Sequence, residues 1–333
     1  MFERVPVCGL TRMSMNRRNF LQMSAATVAA AAVQTELQAG VSAAFPVIDC
    51  HTHFYDPGRP QGVPWPGRDS SLYRTVLPAD LRRLPQHLPV TGTIVVEASS
   101  WLEDNDWLLE LAQRDPFIVG VVGNLNPEST DFGLQVRRLS ANPLFRGIRI
   151  SAQQVGVLLE QGRSGVLGVL SDHDLALDVN GGPETPELLS RLAKLQPQLR
   201  VVLNHLGNPA ITRDPPPAAW ASGIRAAAAC GNVFCKVSAL VEGAARDGGR
   251  APEQLDFYRP YLDVVWDAFS DRRVIYGSNW PVCERAADYR VLQKLVADYA
   301  TERGPDVQQQ FFAGNSKAVW KWADRRPAAS DKL

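Results

Sequence analysis

The chain has too few cysteines, too widely scattered, for a covalent or thiolate framework. Five occur among 333 residues, Cys8, Cys50, Cys230, Cys235 and Cys283, and no two form a CxxC pair. That excludes a disulfide scaffold and a zinc-finger type of site. An excess charge of either sign is also missing. Thirty-five basic and 35 acidic side chains balance to zero, so no electrostatic footprint for nucleic acid exists. No glycine-rich GxGxxG follows the first predicted strand, which argues against a dinucleotide-binding sheet. Internal repeats are absent, and histidine is scarce at five residues.

What remains is a chain that is 45% apolar, with 24 prolines and eight tryptophans, as expected of a globular protein with a large core and long ordered loops. Its N-terminus reads separately from the fold. Residues 16–22, Asn-Arg-Arg-Asn-Phe-Leu-Gln, form a twin-arginine pattern. A mild alanine-rich run over 24–33 and the small residues Val41-Ser42-Ala43 follow, the latter a cleavage site. The apolar run is too short for a stable membrane anchor. This resembles a bacterial Tat signal, which implies the Tat export machinery as a partner and a periplasmic or otherwise exported product. Met13 and Met15 are alternative starts. The expected division is a signal and linker over 1–45, a catalytic domain over 46–325 and a tail over 326–333.

From residue 46 onward short apolar runs alternate with helix-like segments. Strands are expected at 46–51, 91–97, 117–124, 145–151, 175–180, 200–205, 232–238 and 273–279. Helices are expected between them at 104–114, 186–195, 223–230, 257–269 and 287–299. Eight such strands predict an α/β fold, a single-domain (β/α)8 TIM barrel. An open doubly wound sheet is the competing architecture. Residues 61–66, 212–217 and 241–252 read as loop insertions.

Strand parity then nominates a site, because polar residues facing the barrel axis are tolerated mainly at its C-terminal mouth. His51 and His53 share a face at the end of the first strand. Arg149 opposes Ile148 and Ile150; Lys236 opposes Val233, Cys235 and Val237; Asp178 and Asn180 point inward together. Glu97 is expected inward, with Ile94 and Val96 outward. His205 ends its strand on the parity of Val201 and Leu203, and Asn279 on that of Ile275 and Gly277. For any single member a structural ion pair is the competing explanation. His87 and His173 fall away from the mouth and read as structural.

The ordered set Ile48-Asp49-Cys50-His51-Thr52-His53-Phe54, Gly147-Ile148-Arg149, Val201-Val202-Leu203-Asn204-His205-Leu206-Gly207-Asn208-Pro209, Val233-Phe234-Cys235-Lys236-Val237-Ser238 and Tyr276-Gly277-Ser278-Asn279-Trp280-Pro281-Val282 resembles the amidohydrolase-related proteins. The nearest branch is that of the sugar-lactone and 2-pyrone-4,6-dicarboxylate lactonases. The resemblance implies a hydrolase that opens a small lactone or ester. It implies His51, His53 and His205 as ligands of one divalent metal, zinc or manganese, or a site that works with none. Glu97 or Asp178 would complete the metal site, or one of them or a histidine would serve as general base. Arg149, Lys236 and Trp280 would bind substrate, and Tyr55, Trp65, Tyr73 and Trp101 in the mouth loops could stack on a sugar or aromatic ring. The chain departs from the branch at Asn279, where many members carry an aspartate that takes a proton from the attacking water. Asn279 can only orient that water through hydrogen bonds. A non-oxidative decarboxylase of the same superfamily and a noncatalytic exported binding protein are the alternatives. Oligomeric state is not legible.

Overall fold

In a computed structural model, residues 45–325 are described. The expected signal, Cys8 and the tail at 326–333 lie outside the described residues. Eight parallel strands follow one another around the sheet in chain order: β1 Ile48–Thr52, β2 Gly92–Val96, β3 Ile118–Gly123, β4 Phe145–Ser151, β5 Ala176–Asn180, β6 Arg200–Leu203, β7 Val233–Val237 and β8 Val274–Tyr276. Parallel neighbours need crossover connections, and helices supply them. Helix Thr185–Leu195 shows why. Pro186 opens it, Glu187 lies in its first turn and Lys194 in its last. Its buried Leu189, Leu192 and Ala193 recur at helical spacing. Closure comes from β1 meeting the segment that follows β8 through the bridge Thr52 to Trp280, reinforced by His53 N–H to Trp280 O and Asn279 N–H to His51 O, each 2.8 Å. The architecture is the expected (β/α)8 barrel.

The core has two layers. One packs the strands against the helices and holds Val95, Ile148, Val179, Leu203 and Val237. The other fills the barrel and holds Ile48, Cys50, Ile94, Val96, Val202 and Ile275. Trp320, at the end of helix Asn315–Trp320, belongs to this inner layer, and its ring lies 4.8 Å from Lys236 Nζ.

Three parity expectations are corrected by these layers. Ile94 and Val96 face the barrel interior, not the helices. Glu97 reaches the mouth because β2 ends before it. Val201 and Leu203 face the helices, so His205 does not share their side by strand parity. β6 ends at Leu203, and His205, Leu206, Gly207 and Asn208 all turn through positive φ (56°, 54°, 75° and 49°), which swings the imidazole into the mouth. β8 likewise stops at Tyr276, and Asn279 has φ 63°. β1 carries a register shift between Asp49 and Thr52. A bulge of this kind re-aims side chains, and adjacent Cys50 and His51 both reach interior partners. Gly277 makes room for this, because a Cβ there would lie 2.8 Å from that of His51.

Candidate active site

A cavity of about 590 Å3 opens at the C-terminal mouth. Among its walls are His53, Glu97, Arg149, His205 and Asn279, drawn from five strand ends, together with Trp65 from a loop and Glu242 from a short helix beyond β7. The guanidinium of Arg149 is fixed from one side. Its Nε donates to Glu97 Oε1 at 2.8 Å and its Nη2 to the Glu97 carbonyl at 2.9 Å. Nη1 takes part in neither bond, so an anionic or carbonyl oxygen in the cavity can still be addressed. This ion pair commits Glu97 to holding Arg149.

The three histidines form a group, with ring centroids 5.1 Å apart for His51–His53 and 4.4 Å for His51–His205. His53 Nδ1 lies 3.0 Å from the Val96 carbonyl and His205 Nδ1 lies 2.7 Å from Ser238 Oγ. His51 Nδ1 is 3.3 Å from Lys236 Nζ, and its Nε2 is enclosed without a partner. Burial drives all three below the ordinary imidazole range. Lys236 adds to the effect at His51 and His205, and Arg149 does so at His53, which falls to about 3. All three rings are therefore neutral at neutral pH. Arg149 is the cation among the cavity-lining residues.

Several expected residues sit elsewhere. Lys236 and Asp178 do not line the cavity. Both side chains are fully buried, paired at 2.6 Å, with Trp320 Nε1 donating to the other Asp178 oxygen at 3.3 Å. Substrate binding by Lys236 and base chemistry by Asp178 are therefore not what their placement provides. Trp280 is buried against Phe54, and its Nε1 donates to Glu284 Oε1 at 2.7 Å, so its ring does not face the cavity. Tyr55 donates its hydroxyl to the Leu72 carbonyl and packs on Trp65, the one of the five named aromatics that lines the cavity. His173 bonds Ser140 Oγ through Nδ1, away from the mouth.

Glu242 was not expected. The segment 241–252, read as a loop insertion, begins inside a short helix, Leu240–Ala244, entered through Ala239 at φ 50°. Glu242 Oε1 accepts a bond from Asn279 Nδ2 at 2.8 Å, and Oε2 is enclosed without a partner. Burial raises its carboxyl to about 7, against which the bond from Asn279 is a smaller, opposing effect. The signal in the sequence was slight: a glutamate four residues beyond Ser238, behind the apolar pair Leu240-Val241.

An eight-stranded barrel with histidines, an arginine and carboxyl or amide groups gathered at its C-terminal mouth defines a (β/α)8-barrel enzyme with its site at the strand ends. Residues 48–322 match the amidohydrolase family, and the chain belongs to it. An L-fucono-1,5-lactonase of Burkholderia ambifaria is 33% identical over 281 residues, 81% of this chain and 93% of that protein. Another L-fucono-1,5-lactonase, from Burkholderia multivorans, is 29% identical over 81% of this chain and 94% of its own length. A solved amidohydrolase from Burkholderia multivorans with bound zinc is 27% identical, covers 84% of this chain and all of that one, and superposes with a TM-score of 0.73. Residues 14–33 match the twin-arginine translocation signal, which directs the protein through the Tat machinery to the periplasm.

The donor set tests poorly for a resident ion. Among the described residues no group of three or more His, Cys, Asp or Glu side chains stands in a metal-holding arrangement. The obstacle is local. With the Lys236 ammonium donating to His51 Nδ1, the ring proton of His51 occupies Nε2, the atom that would have to ligate. As placed, the three histidines do not fit a metal together.

Proposed function

We propose that this periplasmic hydrolase opens a small sugar lactone at the barrel mouth. The observation that carries the reading is Arg149, clamped by Glu97 and facing a cavity walled by neutral histidines. In such a site water attacks the lactone carbonyl, and the developing oxyanion meets the free Arg149 N–H. Preorganisation is provided by the Arg149–Glu97 clamp, which fixes the donor before substrate arrives. The amides of Asn124, Asn180 and Asn208 on the cavity wall suit a hydroxyl-bearing substrate, and Trp65 offers one apolar face. Two relatives named for L-fucono-1,5-lactone hydrolysis support this substrate class.

The test is acid release, followed with a pH indicator, from L-fucono-1,5-lactone and other aldonolactones against blanks without enzyme. Turnover above the blank supports the reading. No turnover of any lactone, with CO2 released from a hydroxybenzoate, would establish a decarboxylase instead.

A further inference from the structure

We propose that Glu242 is the general base of this site, with Asn279 as the residue that positions it. The proposal rests on the lactonase reading above. Attack by water requires a proton acceptor at the mouth, and the amide at 279 cannot be one. Two carboxylates line the cavity, Glu97 and Glu242. Glu97 is spent on Arg149, while among the described residues Glu242 makes no ion pair and is held by one side-chain hydrogen bond, from Asn279.

The link to His53 strengthens the assignment. His53 Nδ1 faces the Val96 carbonyl, which can only accept, so the neutral ring keeps its proton on Nδ1 and presents a lone pair at Nε2. That lone pair lies 3.2 Å from Asn279 Oδ1, an acceptor facing an acceptor. Turning the amide over resolves the conflict: Nδ2 then donates to His53 and Oδ1 accepts from a protonated Glu242. With Glu242 ionised, Nδ2 returns to the carboxylate and Oδ1 again faces the Nε2 lone pair of the neutral His53. The orientation of the Asn279 amide is thus tied to whether Glu242 carries the proton.

In the reaction, Glu242 takes one proton from water as the water oxygen bonds to the carbonyl carbon. Collapse of the tetrahedral intermediate breaks the bond to the ring oxygen, and the same proton passes from Glu242 to that oxygen. The sum is lactone plus water giving hydroxy acid, with Glu242 returned as carboxylate. The charged and titratable groups around Glu242 are Arg285 and Cys283 on the 282–285 turn, Tyr258 on helix Leu255–Phe269, Arg246 beside a second cavity of about 280 Å3, and His53 beyond Asn279. Arg285 opposes the upward push of burial.

The experiment is the pH–rate profile of lactone hydrolysis for wild type, Glu242→Gln and Asn279→Ala. Glu242→Gln keeps the shape and an amide that can bond residue 279, and a thermal melt checks its fold. Expected are a kcat loss of about 10²–10⁴-fold with KM little changed, and loss of the limb that rises with pH as the base ionises. Asn279→Ala should retain that limb with its midpoint moved, as befits a positioning residue. A folded Glu242→Gln enzyme with wild-type kcat and an unaltered limb overturns the assignment and leaves the lactonase reading standing. An inactive wild type overturns the lactonase reading itself.

Discussion

Lys236 Nζ donates to Asp178 Oδ2 at 2.6 Å with neither side chain exposed to solvent. The pair is the polar heart of the barrel, roofed by His51 and floored by the Trp320 ring. Breaking one half leaves a buried charge uncompensated. Lys236→Met should therefore lose about 3–5 kcal/mol of stability. Lys236→Met with Asp178→Leu should recover most of it. Urea unfolding of the singles and the double gives the coupling directly; additive losses would show that the pair is not a unit.

Arg149 is expected to act on the transition state, not on folding. Arg149→Ala should lower kcat/KM by about 10²–10³-fold, the usual effect of one preorganised oxyanion donor. Glu97→Gln should cost less, because the Glu97 carbonyl still holds Nη2. Steady-state kinetics on an aldonolactone decides. An unchanged rate in Arg149→Ala removes it from the mechanism.

Glu242 should also leave a mark on stability. Its folded carboxyl titrates near 7 against an ordinary value of 4.5, so the folded state holds the proton more tightly than the unfolded chain does. A group raised in this way favours folding at low pH, and that contribution is lost as pH climbs through the window. Relative to Glu242→Gln, wild type should lose stability between pH 4.5 and about 7 and run parallel above it. The full difference is up to about 3 kcal/mol. Parallel stability curves across the whole window would mean that the carboxyl is not perturbed.

The hydrogen bond from Lys236 to His51 bears on metal content. Purified mature protein should carry less than one divalent ion per chain, and dialysis against a chelator should leave turnover within about twofold, a change of less than 0.5 kcal/mol in the barrier. Elemental analysis checks this. One zinc per chain, lost in His51→Ala, would mean that His51 gives up its bond with Lys236 to ligate.

Much of this protein was legible because barrel strands impose a period of two. Arg149, Lys236, Asp178 and the outward residues between them lie where alternation placed them. The reading failed where the backbone leaves the extended region. β2 was assigned the wrong face, His205 enters the mouth through a run of positive φ, and Glu242 rides a one-turn helix in a segment that looked like an insertion. None of these has a period for a pattern to reveal.

Alternating apolar runs, an HxH strand end and a twin-arginine leader determined the barrel, its family and its export, because each depends on local spacing along the chain. Tertiary structure alone decided which polar residues reach the cavity and which are buried beneath it. Parity points Lys236 and Arg149 alike toward the axis, but depth along the strand, the inserted Trp320 and the partner each cation meets set one as a buried ion pair and the other as a donor at the mouth.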